Sequence, residues 1–234
     1  MSQDALRVAG AVLVAVVCIA AGARMYSAHL AAEGHGGVRV PAGAASAPTP
    51  GALPGGGFDP TLPPVKIPER LPDFSLKDRD GKTTSIRAWS GKSLIINFWA
   101  TWCEPCRREI PLLETLHSQW SGRGVAVIGI AVDHREQVVA FANEFKIPYP
   151  LLIGEEDALE VAAAFGVASP PFPFTVFTDR RGEVVALYVG ELHQAEAALI
   201  LSVLRDLDAE QVALPQARRM IAEGLQALAA ARPG

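Results

Sequence analysis

The chain has 234 residues, half of them hydrophobic and 20% charged, with 21 basic against 25 acidic side chains and a net charge of −4. That length allows one domain with a full core plus appendages and argues against a second catalytic domain. Acids and bases are interspersed, which excludes a nucleic-acid footprint; three cysteines are too few for a disulfide scaffold or, without a second Cys-x-x-Cys, for a four-cysteine zinc site.

Residues 8–23, VAGAVLVAVVCIAAGA, carry no charge and lie between Arg7 and Arg24. As a helix they would reach about 24 Å, short of a hydrocarbon core of roughly 30 Å unless the arginines snorkel. Residues 1–30 therefore read as a signal anchor or, with Ala21-Gly22-Ala23 offering a cleavage site, as a signal peptide; the anchor is the preferred reading. Cys18 within the run reads as a small hydrophobe. A lipidated cysteine wants a small residue before it, and Val17 is not small.

Residues 31–68 hold eight glycines and eight prolines, a composition that cannot bury enough apolar surface to fold. They read as a flexible linker with an end-to-end distance of roughly 30–37 Å. The folded domain is expected over residues 69–207. FSLKDRDGKTTSI carries Asp80-Gly81 between two short alternating runs and predicts a hairpin. Leu94 to Trp99 is a continuous apolar run of strand length, and Cys103 to Trp120 has helical spacing. Val125 to Val132 predicts a second buried strand, Arg135 to Phe145 a helix, Leu151 to Ile153 a short strand and Asp157 to Phe165 a helix. Phe174 to Thr178 and Val184 to Val189 flank Asp179-Arg-Arg-Gly182 as a hairpin, and His193 to Leu207 is helical. This alternation predicts an α/β fold: a mostly parallel sheet covered on both faces, to which the last hairpin adds antiparallel strands. Residues 208–234 form a helical extension, with Met220, Ile221, Leu225 and Leu228 expected on the face that packs against the domain. The five histidines, His29, His35, His117, His134 and His193, share no ligand spacing and read as surface residues.

Cys103-Glu104-Pro105-Cys106 sits where the Leu94–Trp99 strand meets the next helix. A thiolate, not a thiol, attacks disulfides, and a helix N-terminus favours an anion through its unpaired N–H groups and its dipole. Cys103 is placed to attack. Cys106, one turn further along the same side and better covered, is placed to resolve. Pro105 fits the first turn, where its missing N–H costs little, whereas Pro111 lies inside the helix and is expected to kink it.

The run from Asn97 to Pro111, NFWATWCEPCRREIP, resembles the active-site segment of thioredoxin-fold proteins, and specifically of the TlpA-like family of membrane-anchored thiol-disulfide oxidoreductases. The resemblance spans roughly Glu69 to Leu207. Pro72 to Leu76, the extra strand and helix after the active-site helix, and Pro173 to Gly182 also carry it. It implies a thioredoxin-like fold with a central mixed sheet, and a cis proline at Pro173 facing the disulfide, in a stretch where two extra residues leave Pro170 and Pro171 as lesser candidates. It further implies that Trp102, Glu104, Pro105, Phe172 and Pro173 face the substrate, and that Glu109 is the acid that handles protons for the dithiol. Asn97 occupies the position where thioredoxins proper carry a buried aspartate, and an amide cannot titrate. By the same resemblance the cofactor is the redox-active Cys103–Cys106 disulfide alone, with no metal. The implied partners are disulfide-containing exported clients, such as apocytochrome c or copper-site assembly proteins, and a membrane thiol electron donor. The implied location is the cytoplasmic membrane, single-pass, with the redox domain facing the periplasm or cell exterior.

Two rival functions remain open. A thiol peroxidase of the peroxiredoxin type needs an activated cysteine in its own loop, and no Pro-x-x-x-Thr-x-x-Cys occurs. A copper-binding assembly module wants Cys-x-x-x-Cys with a distant histidine, and the spacing is one residue short.

Overall fold

In the computed structural model of the chain, residues 67–167 and 170–231 are described, all within the second of two units, Asp59–Gly234. The apolar run at residues 8–23, Cys18, His29, His35 and the linker up to residue 66 lie outside the described residues. The first hairpin forms as its turn chemistry predicts. Gly81 takes a left-handed φ of +80° that a side chain would strain. The Asp78 carboxylate closes the turn by accepting from the Asp80 and Lys82 N–H groups and the Thr84 hydroxyl. Strands β1 (Ser75–Asp78) and β2 (Thr83–Ser85) pair antiparallel on either side of it.

Five more strands join them: β3 (Ser93–Trp99), β4 (Val125–Val132), β5 (Leu151–Gly154), β6 (Phe174–Thr178) and β7 (Val184–Val189). The single sheet runs β2-β1-β5-β4-β3-β6-β7. Only β3–β4 and β4–β5 are parallel; the other four pairings are antiparallel. The expectation of a mostly parallel sheet is corrected here. The first hairpin docks antiparallel on β5, a contact far apart in sequence that no local pattern announces. The mixed sheet implied by the family resemblance is the one observed.

Every residue of β3 and β4 is buried, which explains why both read as unbroken apolar runs: each face of the central strands is covered. Ile95 and Trp99 point into one core with the helices α1 (Glu104–Trp120), α2 (Arg135–Glu144), α4 (Gln194–Asp208) and α5 (Leu214–Ala230). Leu94, Ile96 and Phe98 point into the other core, with α3 (Glu156–Ala164) and the 3₁₀ turn Ile86–Trp89. There Phe98 stacks on Phe174 with centroids 4.2 Å apart and meets Phe165 edge-on at 5.8 Å, arrangements that suit the ring quadrupoles.

The C-terminal helix α5 packs on α4 and β7 rather than standing free. Ala217 and Ile221 are buried at i, i+4 spacing, and Leu225 packs against the same core. Met220 is corrected: it is exposed, because one residue before Ile221 turns a side chain 100° away from the buried stripe. Gly224 permits close approach of the two helices, since a Cβ there would come within 2.6 Å of Leu199 Cδ2. Arg218 donates to the Val184 carbonyl at 2.6 Å and fastens α5 to the edge strand.

Candidate active site

The site begins at the C-terminal end of β3. Asn97 and Trp99 belong to the strand, Ala100–Trp102 turns, and Cys103 caps α1 in an extended conformation (φ −84°, ψ 107°). The turn is held from below by Asp133 at the end of β4, whose carboxylate accepts from the Thr101 N–H at 3.2 Å and from the Thr101 hydroxyl. Cys103 Sγ accepts from the Cys106 N–H at 3.3 Å, so the sulfur occupies the place a capping oxygen would take and lies against the positive end of the helix.

Cys103 and Cys106 form a disulfide with Cα atoms 5.3 Å apart. Cys103 is 5% exposed and Cys106 is fully buried, in the order expected for an attacking and a resolving sulfur. Pro105 lies in the first turn of α1 as predicted. Pro111 lies within the helix, which continues through it to Trp120.

Of the residues implied to face substrate, the structure brings three together. Trp102 is 69% exposed beside Cys103, and its indole meets the Phe172 ring edge-on at 6.0 Å. Phe172 precedes Pro173 across a cis peptide bond, the only one among the described residues. Glu104 turns instead toward Arg108, one turn along the helix, at 3.1 Å. Pro171 is thus set aside as the cis position, whereas the bond into Pro170 involves Ser169, outside the described residues.

Glu109 is the most informative side chain of the site. It is 1% exposed, on the buried side of α1 with Cys106, so it is not a solvated helix residue. Its Oε1 accepts from Asn97 Nδ2 at 2.7 Å, and its Oε2 accepts from the Leu192 N–H at 2.9 Å. Burial raises its pKa from an ordinary 4.5 to about 7, against the two hydrogen bonds that favour the anion; the nearby Glu191 carboxylate adds to the rise. In this oxidised form the like charge beside Glu109 is Glu191.

Sequence reasoning missed the scaffold around Glu109. In the sequence Asn97 stands out only as an amide that cannot titrate, yet it bridges Glu109 and Thr175 Oγ1, the latter at 3.0 Å. The β3–β6 register, Asn97 opposite Thr175, makes this bridge. Leu192 contributes a backbone N–H, for which no side-chain signal exists. His117 also departs from the surface reading: its Nδ1 is buried, and its ring lies 6.2 Å from that of Tyr149, a buried phenol whose pKa burial pushes up.

Residues 67–187 match the model of the AhpC/TSA family. The chain is 35% identical over 132 residues to the thioredoxin-like protein YneN of Bacillus subtilis, covering 55% of this chain and 74% of that protein. It is 33% identical over 129 residues to the thiol-disulfide oxidoreductase ResA of Geobacillus thermodenitrificans, covering 55% and 72%. Among solved structures, a thiol:disulfide interchange protein, DsbE, of Chlorobium tepidum superposes with a TM-score of 0.54 at 22% identity, covering 60% of this chain and 99% of that one, which supports the fold.

Proposed function

This chain belongs to the AhpC/TSA family, as a TlpA-like thiol-disulfide oxidoreductase, and from that premise we propose that it is a tethered reductase of disulfides in exported proteins. The observation that carries the reading is the Cys103–Cys106 pair at a helix N-terminus with a buried, up-shifted carboxyl on the same side of that helix. The thiol-disulfide oxidoreductase name of the ResA relative favours this reading over the peroxidase one.

In the reducing direction the Cys103 thiolate attacks one sulfur of a client disulfide. A mixed disulfide forms, and the other client sulfur leaves as a thiolate. Cys106 then gives up its proton and attacks Cys103 Sγ, which restores the Cys103–Cys106 disulfide and releases the second client thiol. Two electrons pass from the dithiol to the client. Glu109, with a pKa of about 7, is suited to accept the Cys106 proton at neutral pH. The exposed Trp102 and the adjoining Phe172 offer the apolar platform for the client chain.

The remaining parts of the reading rest on the sequence. The apolar run at residues 8–23 and the Gly/Pro-rich linker suit a single-pass anchor with the redox domain outside the cytoplasmic membrane. In that oxidising compartment a reductase turns over only if a membrane thiol donor re-reduces it. Apocytochrome c and copper-site assembly proteins are the proposed clients. The test is trapping in the native membrane: Cys106→Ser should accumulate mixed disulfides through Cys103, and Cys103→Ser should trap few. The reverse pattern would reassign the nucleophile, and capture of no exported protein by either variant would sink the client class.

A further inference from the structure

The turn Gly190–His193, between β7 and α4, touches the site at three separate points. Its first residue donates a backbone hydrogen bond to the carbonyl of Pro173 at 2.8 Å, at the residue that opens β6 beside Trp102 and Phe172. Its third residue, Leu192, donates to Glu109 Oε2. Its second, Glu191, is gripped from the active-site helix by Arg108, whose Nε and Nη2 both reach Glu191 Oε2, at 2.9 and 2.7 Å. Arg108 Nη1 also donates to Glu104 at 3.1 Å, so one guanidinium joins the first turn of α1 to the turn that holds Glu109. Gly190 adopts a φ of +102°, a conformation that side chains rarely take, which lets the chain reverse at this point.

We infer that Arg108 and Glu191 are positioning residues for the dithiol reaction: their ion pair fixes the Gly190–His193 turn so that the Leu192 N–H meets the Glu109 carboxylate, and it sets the charge that carboxylate feels. The inference rests on the reading of Glu109 as the proton carrier. An exposed ion pair contributes little to stability. This one is forked at a single oxygen, joins residues 83 apart in sequence, and has a side chain on one partner that is only 20% exposed. A planar guanidinium fork imposes a geometry that an ammonium cannot.

The charged and titratable groups facing Glu109 come from each neighbouring element. Cys106 lies on its own helix, Tyr149 on the connection into β5, and Glu191 on the turn; Asn97 on β3 is neutral. Behind Glu191 stand Arg108, Glu104 and His193, whose Nδ1 lies 4.0 Å from Glu191 Oε1. Glu196, in the first turn of α4, is a further buried carboxyl beside this turn. The signs of two perturbations follow. Arg108→Gln leaves the Glu191 charge unneutralised and frees the turn that delivers the Leu192 N–H, and both effects disfavour the Glu109 anion. Glu191→Gln removes the like charge and keeps an acceptor for Arg108, whose guanidinium is then balanced by Glu104 alone, and this favours the Glu109 anion.

The test is a titration of the Glu109 side-chain carboxyl in the full-length oxidised protein labelled with carbon-13 at glutamate, its signal assigned by its loss in Glu109→Gln. Arg108→Gln should raise the midpoint by about 0.5 pH unit or more, and Glu191→Gln should lower it by a similar amount. Midpoints that stay within about 0.2 pH unit of the wild type in both variants, or that move in the same direction, would overturn the inference. The titration reads the carboxyl itself. If instead the pH profiles of cysteine reactivity coincide in wild type and Glu109→Gln, it is the proton-carrier role that fails, while the positioning result stands on its own.

Discussion

Glu109→Gln tests whether the buried carboxyl costs the oxidised protein stability at neutral pH. The folded-state pKa of about 7 lies above the ordinary 4.5, so between these values the folded chain retains a proton that the unfolded chain has lost. Stability contributed by such a group is present in full below pH 4.5 and falls as pH rises through about 7. The gap of about 2.5 pH units, at 1.36 kcal/mol per unit, amounts to about 3 kcal/mol. Glutamine resembles the protonated acid and carries no charge at any pH. Its amide faces either Asn97 Nδ2 or the Leu192 N–H with a donor of its own, a mismatch of about 1–3 kcal/mol that is independent of pH. The assay is urea unfolding of wild type and Glu109→Gln with the Cys103–Cys106 disulfide intact, at intervals from pH 4.5 to 8. All other titrating groups are shared and cancel in the difference. The wild type should lose about 3 kcal/mol relative to the variant across that range, most steeply between pH 5 and 7. Parallel stability curves would refute the reasoning, because they would show that the carboxyl ionises alike in both states.

Trp102→Ala should weaken KM for a folded or peptide disulfide client severalfold, leaving urea stability within about 0.5 kcal/mol, because the indole is 69% exposed; an unchanged KM would remove Trp102 from the docking surface. Asn97→Leu should cost about 1–3 kcal/mol and move the Glu109 titration upward, since it strips an acceptor of its donor within the core; a carboxyl midpoint equal to that of the wild type would show that Asn97 is only packing. Gly129→Ala should cost about 1–3 kcal/mol by denaturant unfolding, because its Cβ would come within 2.6 Å of Leu151 Cδ2 and 3.0 Å of Trp99 Nε1 in a closed core. Ile221→Ala should cost about 2–5 kcal/mol, whereas Met220→Ala should be close to neutral; equal effects would mean that α5 is turned differently on α4.

The elements were legible because the local signals agree with the tertiary ones. Asp80-Gly81 favours a tight turn, the β3 and β4 runs are buried on both faces, and Cys103 follows a strand end with Pro105 in the first helical turn. The redox pair and the position of the cis peptide followed from a motif in which those features recur together. What stayed hidden was pairing between distant segments. Nothing in Ser75–Asp78 says that it will dock antiparallel on Leu151–Gly154, and a mostly parallel sheet is the natural reading when strands and helices alternate. Met220 was misplaced for a smaller reason of the same kind: apolar residues at 220, 221, 225 and 228 cannot all share one narrow stripe, and only the α4 surface decides that Ile221 takes it.

The same distinction explains why Glu109 was visible in the sequence while its environment was not. Its burial follows from helical phase: three residues after Cys106 lies on the same face, and that face meets the sheet. Its chemistry does not follow from phase. A carboxyl in a dry core, with no donors, would stay protonated far above neutral pH and could not accept a proton; one surrounded by many donors would titrate near 4 and would not hold it. A value of about 7 needs burial offset by a small number of hydrogen bonds, here two. One comes from an amide 12 residues earlier on β3, the other from a backbone N–H 83 residues later. The replacement of an acid by Asn97 then acquires a positive role. An aspartate there would place a second carboxylate 2.7 Å from the first and force one of them to stay protonated; the amide donates to Glu109 and leaves a single titrating group beside the dithiol. Asn97→Asp should therefore split the carboxyl titration into two coupled steps where a single step near pH 7 is expected of the wild type, and a single unshifted step in the variant would refute the pairing.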